Sequence, residues 1–116
     1  MLSTTTYRRA DVVLVPFPFT DQRAMEYRPA LIVSSDNYNQ ATTDYILAMI
    51  TGNLNPPARP GDHTIQNWGR AGLKRPSRIR AKLATLQESL IQKSLGTMPA
   101  PDMAAFENNL RQVLQL

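Results

Sequence analysis

Hydrophobic and polar positions alternate over residues 11–19. Val13, Val15, Phe17 and Phe19 fall on one side, with Val12, Leu14, Pro16 and Pro18 on the other. A period of two predicts a β-strand. Pro16 and Pro18 donate no ladder hydrogen bond, so this end of the strand reads as an edge or a bend. Residues 20–27 are polar and lack glycine, which predicts a loop rather than a tight primed turn. Arg28-Pro29 opens a second strand over 28–34, because a residue before proline is pushed into extended geometry. The unbroken apolar run Ala30-Leu31-Ile32-Val33 suits a strand covered on both faces. Asp36, Asn37, Tyr38 and Asn39 read as a turn-rich connection, and a third strand is expected over 45–51.

Residues 52–62 hold Pro56, Pro57 and Pro60 beside Asn53 and Asn55, which predicts a loop. A short strand over 63–66 and a turn over 68–73 follow. Residues 77–84 alternate strictly, with Arg78, Arg80 and Lys82 on one face and Ile79, Ala81 and Leu83 on the other. The amphipathic stretch 86–95 predicts a helix ending at Gly96. Asp102 is placed to cap a last helix with the stripe Phe106, Leu110, Val113 and Leu114. Strands followed by helices, without βαβ alternation, predict a mainly β (α+β) fold. The expected form is a small, strongly bent antiparallel sheet or barrel with appended helices. No repeat or linker divides the chain, so residues 1–116 read as a single domain.

Composition narrows the function classes. A chain of 116 residues and 13.0 kDa supports a core without staples. The absence of cysteine excludes a disulfide scaffold, a thiolate zinc site and a cysteine nucleophile, and it fits a reducing cytoplasm. His63, the single histidine, cannot build a multi-histidine metal site, and no metal or cofactor is expected. No apolar run suits a membrane span, and residues 1–9 lack the apolar stretch of a secretory signal; a cytoplasmic location with no membrane partner is expected. Net charge is a mild +4, but six of the 13 basic residues lie between Arg70 and Lys82, a window with no acid. Such a concentrated field draws polyanions.

Strand geometry brings two of these residues together. Pairing strands two and three antiparallel in full register makes the indices sum to 79, so Ser34 faces Tyr45 and Arg28 faces Thr51. Loops 20–27 and 52–62 rise from that same end of the sheet. A guanidinium offers a bidentate fork to phosphate oxygens and keeps its charge. In RNA the 2′-hydroxyl attacks the adjacent phosphorus itself, so no metal-activated water is needed. Thr51 suits a positioning role better than proton transfer. Against this stands the plain alternative that both residues are solvent-facing strand ends.

The segments Asp11-Val12-Val13-Leu14-Val15-Pro16-Phe17, Arg28-Pro29-Ala30-Leu31-Ile32-Val33-Ser34, Tyr38-Asn39 and Ile50-Thr51 resemble, in order and spacing, the PemK/MazF family of bacterial toxins. Gly61-Asp62, Trp68, Ala71-Gly72-Leu73 and Pro76-Ser77 extend the resemblance over roughly residues 7–115. It implies the toxin of a type II toxin–antitoxin module, with an SH3-like barrel and appended helices. It also implies a homodimer and a metal-independent endoribonuclease that cleaves single-stranded RNA to 2′,3′-cyclic phosphate and 5′-hydroxyl ends. A cognate antitoxin would lay a disordered tail over the RNA groove. The catalytic pair it implies is Arg28 and Thr51.

The chain departs from the family pattern. Ala10 replaces a usual glycine, and Arg23 stands where some members have an acid, with Asp21 or Glu26 as possible substitutes. Asp21 and Arg23 of the first loop enter the candidate RNA contacts. Ala81-Lys82-Leu83 replaces an Asp-Gln pair. Arg78, Arg80 and Lys82 are candidates to line the RNA groove; a solvated face or contact with an acidic antitoxin tail is the alternative. Trp68 reads as packing before base stacking, and His63 as a surface or loop residue despite Asp62 beside it. Two other functions share the fold: a non-enzymatic toxin that binds a DNA topoisomerase through residues 110–116, and a paralogue that binds RNA without cutting it.

Overall fold

The computed structural model describes residues 6–17 and 26–116. Six antiparallel strands form one sheet: β1 (Asp11–Phe17), β2 (Glu26–Ile32), β3 (Asp44–Thr51), β4 (His63–Thr64), β5 (Arg78–Gln87) and β6 (Lys93–Thr97). Their order across the sheet is β4-β5-β3-β2-β1-β6. Two helices, α1 (Asp36–Thr42) and α2 (Ala100–Leu114), are appended, giving the expected mainly β, half-barrel architecture.

Alternate residues of the three central strands enter two different cores, which explains their nearly continuous apolar sequence. Val13, Val15, Ala30, Ile32, Leu47 and Met49 pack with Tyr7, Tyr45, Leu86 and Ile91 on one face. Val12, Leu31, Ala48 and Ile50 pack on the other with Ile65, Ala71 and, from α2, Met103 and Phe106. Because both faces are buried, a one-residue slip would exchange the two sets, so the register is strongly specified. Register shifts within the β1–β6 and β3–β5 pairs bend the sheet.

Three expectations are corrected. Residues 36–39 belong to a helix, because the Ser35 hydroxyl accepts the Tyr38 N–H at 3.1 Å and caps it. In the same region Ser34 and buried Asn39 hydrogen-bond each other, and the Ser34 hydroxyl also accepts the Ile46 N–H at 3.0 Å; this ties α1 to the sheet. Residues 86–95 are not a helix. The chain continues β5 to Gln87, makes a 3₁₀ turn at Glu88–Leu90 and returns as β6 beside β1. Pairing with Tyr45 and with β1 outweighs the helical spacing. Gly96 is needed for a different reason: a Cβ there would sit 2.6 Å from the Ala71 carbonyl oxygen.

The third correction concerns Asp102, which lies in the first turn of α2 but does not cap it. Pro99 holds the cap position. Asp102 is 1% exposed and reaches back to accept the N–H groups of Gln66 (2.8 Å) and Asn67 (3.0 Å). The strand over 63–66 is limited to His63–Thr64, and β2 begins two residues earlier than expected, at Glu26. Residues 18 and 19, expected to end the first strand, and 20–25 of the first loop lie outside the described residues.

Candidate active site

The β2–β3 ladder pairs Ala30 with Met49, Leu31 with Ala48 and Ile32 with Leu47. Each pair sums to 79, the register expected from the sequence; the ladder ends at Ala30 and Met49, two residues short of Arg28 and Thr51. Both residues line one open groove of about 1090 Å³. Its floor includes Leu14, Ile50 and Leu95. Among the described residues its rim carries the cations Arg28, Lys74, Arg75, Arg80 and Lys93 against a single carboxylate, Glu26. This imbalance makes the groove a trap for an extended anion.

Local structure fixes the central groups. The Thr51 hydroxyl oxygen accepts the Asn53 N–H at 3.1 Å, which orients it at the start of the following loop. Asn53 in turn accepts the Asn55 N–H at 3.2 Å. Gly52 lets Arg75 cross beside Thr51; a Cβ at Gly52 would lie 2.6 Å from the Arg75 Cδ. Arg28 donates from Nη2 to Glu26 Oε2 at 3.1 Å, and its guanidinium carbon lies 4.0 Å from the centroid of the Phe17 ring. The Arg80 Nε stands 4.0 Å from the nearly buried Asp62 carboxylate, which holds Arg80 on the groove wall.

Residues 8–114 match the family of PemK-like, MazF-like toxins of type II toxin–antitoxin systems. The chain belongs to this family. Solved structures with the same fold include a mycobacterial endoribonuclease in complex with its cognate antitoxin (TM-score 0.77, 19% identity, 95% of this chain and 96% of that one). MazF from Deinococcus radiodurans superposes with a TM-score of 0.73 at 21% identity, over 95% of this chain and 97% of that one. The Mycobacterium tuberculosis toxin MazF-mt6 does so with a TM-score of 0.73 at 16% identity, over 91% and 97%. No curated protein sequence matches the chain.

In this PemK/MazF-type chain the nominated RNA contacts separate. Arg80 lines the groove. Arg78 does not: it is 9% exposed and donates from Nη1 to the Pro56 carbonyl at 2.9 Å, while its Nε has no partner among the described residues. Lys82 is exposed, with Nζ 5.6 Å from the Phe17 ring centroid, and is not among the lining residues. The expected common face fails because the β3–β5 register shifts between Ala48 and Ile50. As a result Arg78 and Ile79 are both buried, and Lys82 and Leu83 are both exposed. Asp21 and Arg23 lie outside the described residues.

Other features of the toxin were not legible in its sequence. Lys93 was hidden in a stretch read as helix. Lys74 and Arg75 were visible only as part of the basic window. Glu26 faces Arg28 because β2 begins earlier than the Arg-Pro signal suggested. Trp68 packs against the second core, in line with its packing role. His63 is neither a surface nor a loop residue; it lies in β4, largely buried, with Nε2 2.8 Å from Asp102 Oδ1. Among the described residues no three His, Asp or Glu side chains cluster as a metal site requires. No helix there is long and apolar enough to cross a membrane.

Proposed function

We propose that this toxin is a metal-independent endoribonuclease for single-stranded RNA, with residues 1–116 acting as one domain. The observation that carries the reading is that Arg28 and Thr51, each two residues beyond the paired part of β2 and β3, both line one cationic groove. In this reading the ribose 2′-hydroxyl attacks the adjacent phosphorus. The O2′–P bond forms, the P–O5′ bond breaks, and the products carry a 2′,3′-cyclic phosphate and a 5′-hydroxyl. The proton lost from the 2′-oxygen leaves to solvent in the open groove, and the departing 5′-oxygen takes one from the same source. Arg28 holds the non-bridging oxygens as their charge grows. One such donor contributes about 10²–10³ in rate, or ~3–4 kcal/mol. Thr51 positions the 2′-hydroxyl. Arg75, Arg80, Lys74 and Lys93 hold flanking phosphates; for a single strand each lost contact lowers the salt slope by about 0.7.

The same proposal includes a cognate antitoxin as partner and a homodimer as the assembled form. The family match supports both, and the antitoxin complex of the mycobacterial neighbour supports the first. Purified protein incubated with single-stranded RNA and excess chelator should cleave it, and Arg28→Ala should lower cleavage about 10²–10³-fold while melting as the wild type does. A strict requirement for a divalent ion would overturn the mechanism. Cleavage by Arg28→Ala at the wild-type rate would overturn the site.

A further inference from the structure

The Arg28 side chain is half exposed at the groove, and an arginine in that position ordinarily samples many rotamers. Among the described residues two contacts restrict it, and they differ in kind. Glu26 takes an N–H of Nη2, one of the donors that a phosphate oxygen needs. Phe17 takes none. The central carbon of the guanidinium lies over its ring, 4.0 Å from the ring centroid. All five N–H donors of a guanidinium lie in its plane, so a group stacked on an aromatic ring keeps them available. A carboxylate partner occupies a donor that a phosphate oxygen could take; an aromatic one occupies none.

Phe17 is itself held in place. It is partly buried, packs against the core that includes Val13 and Val15, and pairs across the ladder with Glu26 while Val15 pairs with Arg28. The ring is therefore a fixed surface diagonal to Arg28. The Lys82 ammonium lies 5.6 Å from the same ring centroid, so the ring works in a cationic setting where its negative face is drawn on twice.

We propose that Phe17 is a positioning residue for Arg28: its ring holds the guanidinium by the face before RNA arrives and leaves the in-plane donors for the scissile phosphodiester. The inference rests on the catalytic reading of Arg28 above. Ordering the arginine during folding rather than at the moment of reaction should raise turnover more than substrate binding.

Cleavage kinetics of wild type, Phe17→Leu, Phe17→Tyr and Arg28→Ala, each with a thermal melt, test it. Leucine keeps apolar bulk against the core and removes the aromatic face. Phe17→Leu should lower kcat roughly 10- to 100-fold with KM little changed, and Phe17→Tyr should restore turnover. In the free protein, nuclear magnetic resonance should show the Arg28 side-chain protons shifted upfield by the ring, a readout that does not depend on any variant folding. Wild-type kcat in Phe17→Leu, or unshifted Arg28 resonances, would overturn the role of Phe17 while Arg28→Ala stays inactive. An active Arg28→Ala would instead overturn the catalytic reading itself, and the inference with it.

Discussion

The groove at Arg28 and the buried cluster at Asp102 both gather charged and polar groups, and they are built in opposite ways. Asp102 is 1% exposed and accepts from three donors: the N–H groups of Gln66 and Asn67, and His63 Nε2. An ionised carboxylate only accepts, so His63 donates to it from Nε2. Nothing is left over for a substrate. The groove is the reverse, with five cations against one carboxylate among the described residues that line it. The His–Asp pair has the look of a catalytic dyad, but its saturated carboxylate makes it an anchor that fastens the start of α2 to residues 63–67. The site that remains under-satisfied is the one positioned to bind an anion.

Removing one member from each region separates the two roles. Arg28→Ala, with its loss of about 10²–10³ in cleavage, is the largest expected effect on activity and should leave the melting temperature near that of wild type. Asp102→Asn should do the opposite. The amide turns one acceptor into a donor facing N–H groups, at a position that is 1% exposed. A stability loss of about 2–3 kcal/mol in denaturant titration is expected, with cleavage per folded molecule unchanged. A stable Asp102→Asn protein with lowered kcat would reverse the assignment.

Acid titration sharpens the same contrast. Burial alone pushes the Asp102 carboxyl up, but the donors Gln66, His63 and Asn67 outweigh it and hold the group below its ordinary 3.8. A carboxyl depressed in the folded state binds its proton more readily when unfolded. Its contribution to stability is therefore complete above 3.8 and is lost as pH falls through the lower folded value. The difference in stability between wild type and Asp102→Asn should shrink as pH falls across that acid limb. A constant difference from pH 6 down to the end of the limb would mean the carboxylate is not what the donors hold.

How much of each region the sequence showed follows from how far its partners lie along the chain. The groove floor was legible because Arg28-Pro29 fixes where β2 is extended, and the apolar runs of β2 and β3 leave little freedom in register. The groove wall was not, because Lys93 lies in a stretch in which Leu86, Leu90, Ile91 and Leu95 mimic a helical stripe although it is divided between β5, a 3₁₀ turn and β6. Only the close approach of Gly96 to Ala71 and the pairing with β1 explain why that stretch is extended. Asp102 was misread for a related reason. Next to a helix start, an aspartate looks like a cap, and its true partners lie 35 to 39 residues away. Arg78 was misread because strict alternation does not register a bulge.

The smallest expected effect bears most directly on the comparison, because Glu26 is the carboxylate that pairs with Arg28 among the described residues. Its pair with Arg28 is open to solvent, with side-chain exposures of 64% and 46%, so it adds little to stability. Its charge matters more to the ligand. The carboxylate occupies an Arg28 donor and repels an approaching phosphate, and Phe17 keeps the guanidinium in place when that carboxylate is gone. Glu26→Gln should therefore melt within about 0.5 kcal/mol of wild type and bind single-stranded RNA a few-fold more tightly at low salt, an advantage that fades as salt screens the lost charge. Should kcat fall with KM unchanged, Glu26 would be receiving the proton of the 2′-hydroxyl, and the groove's lone carboxylate would be part of the reaction instead of a competitor for its arginine.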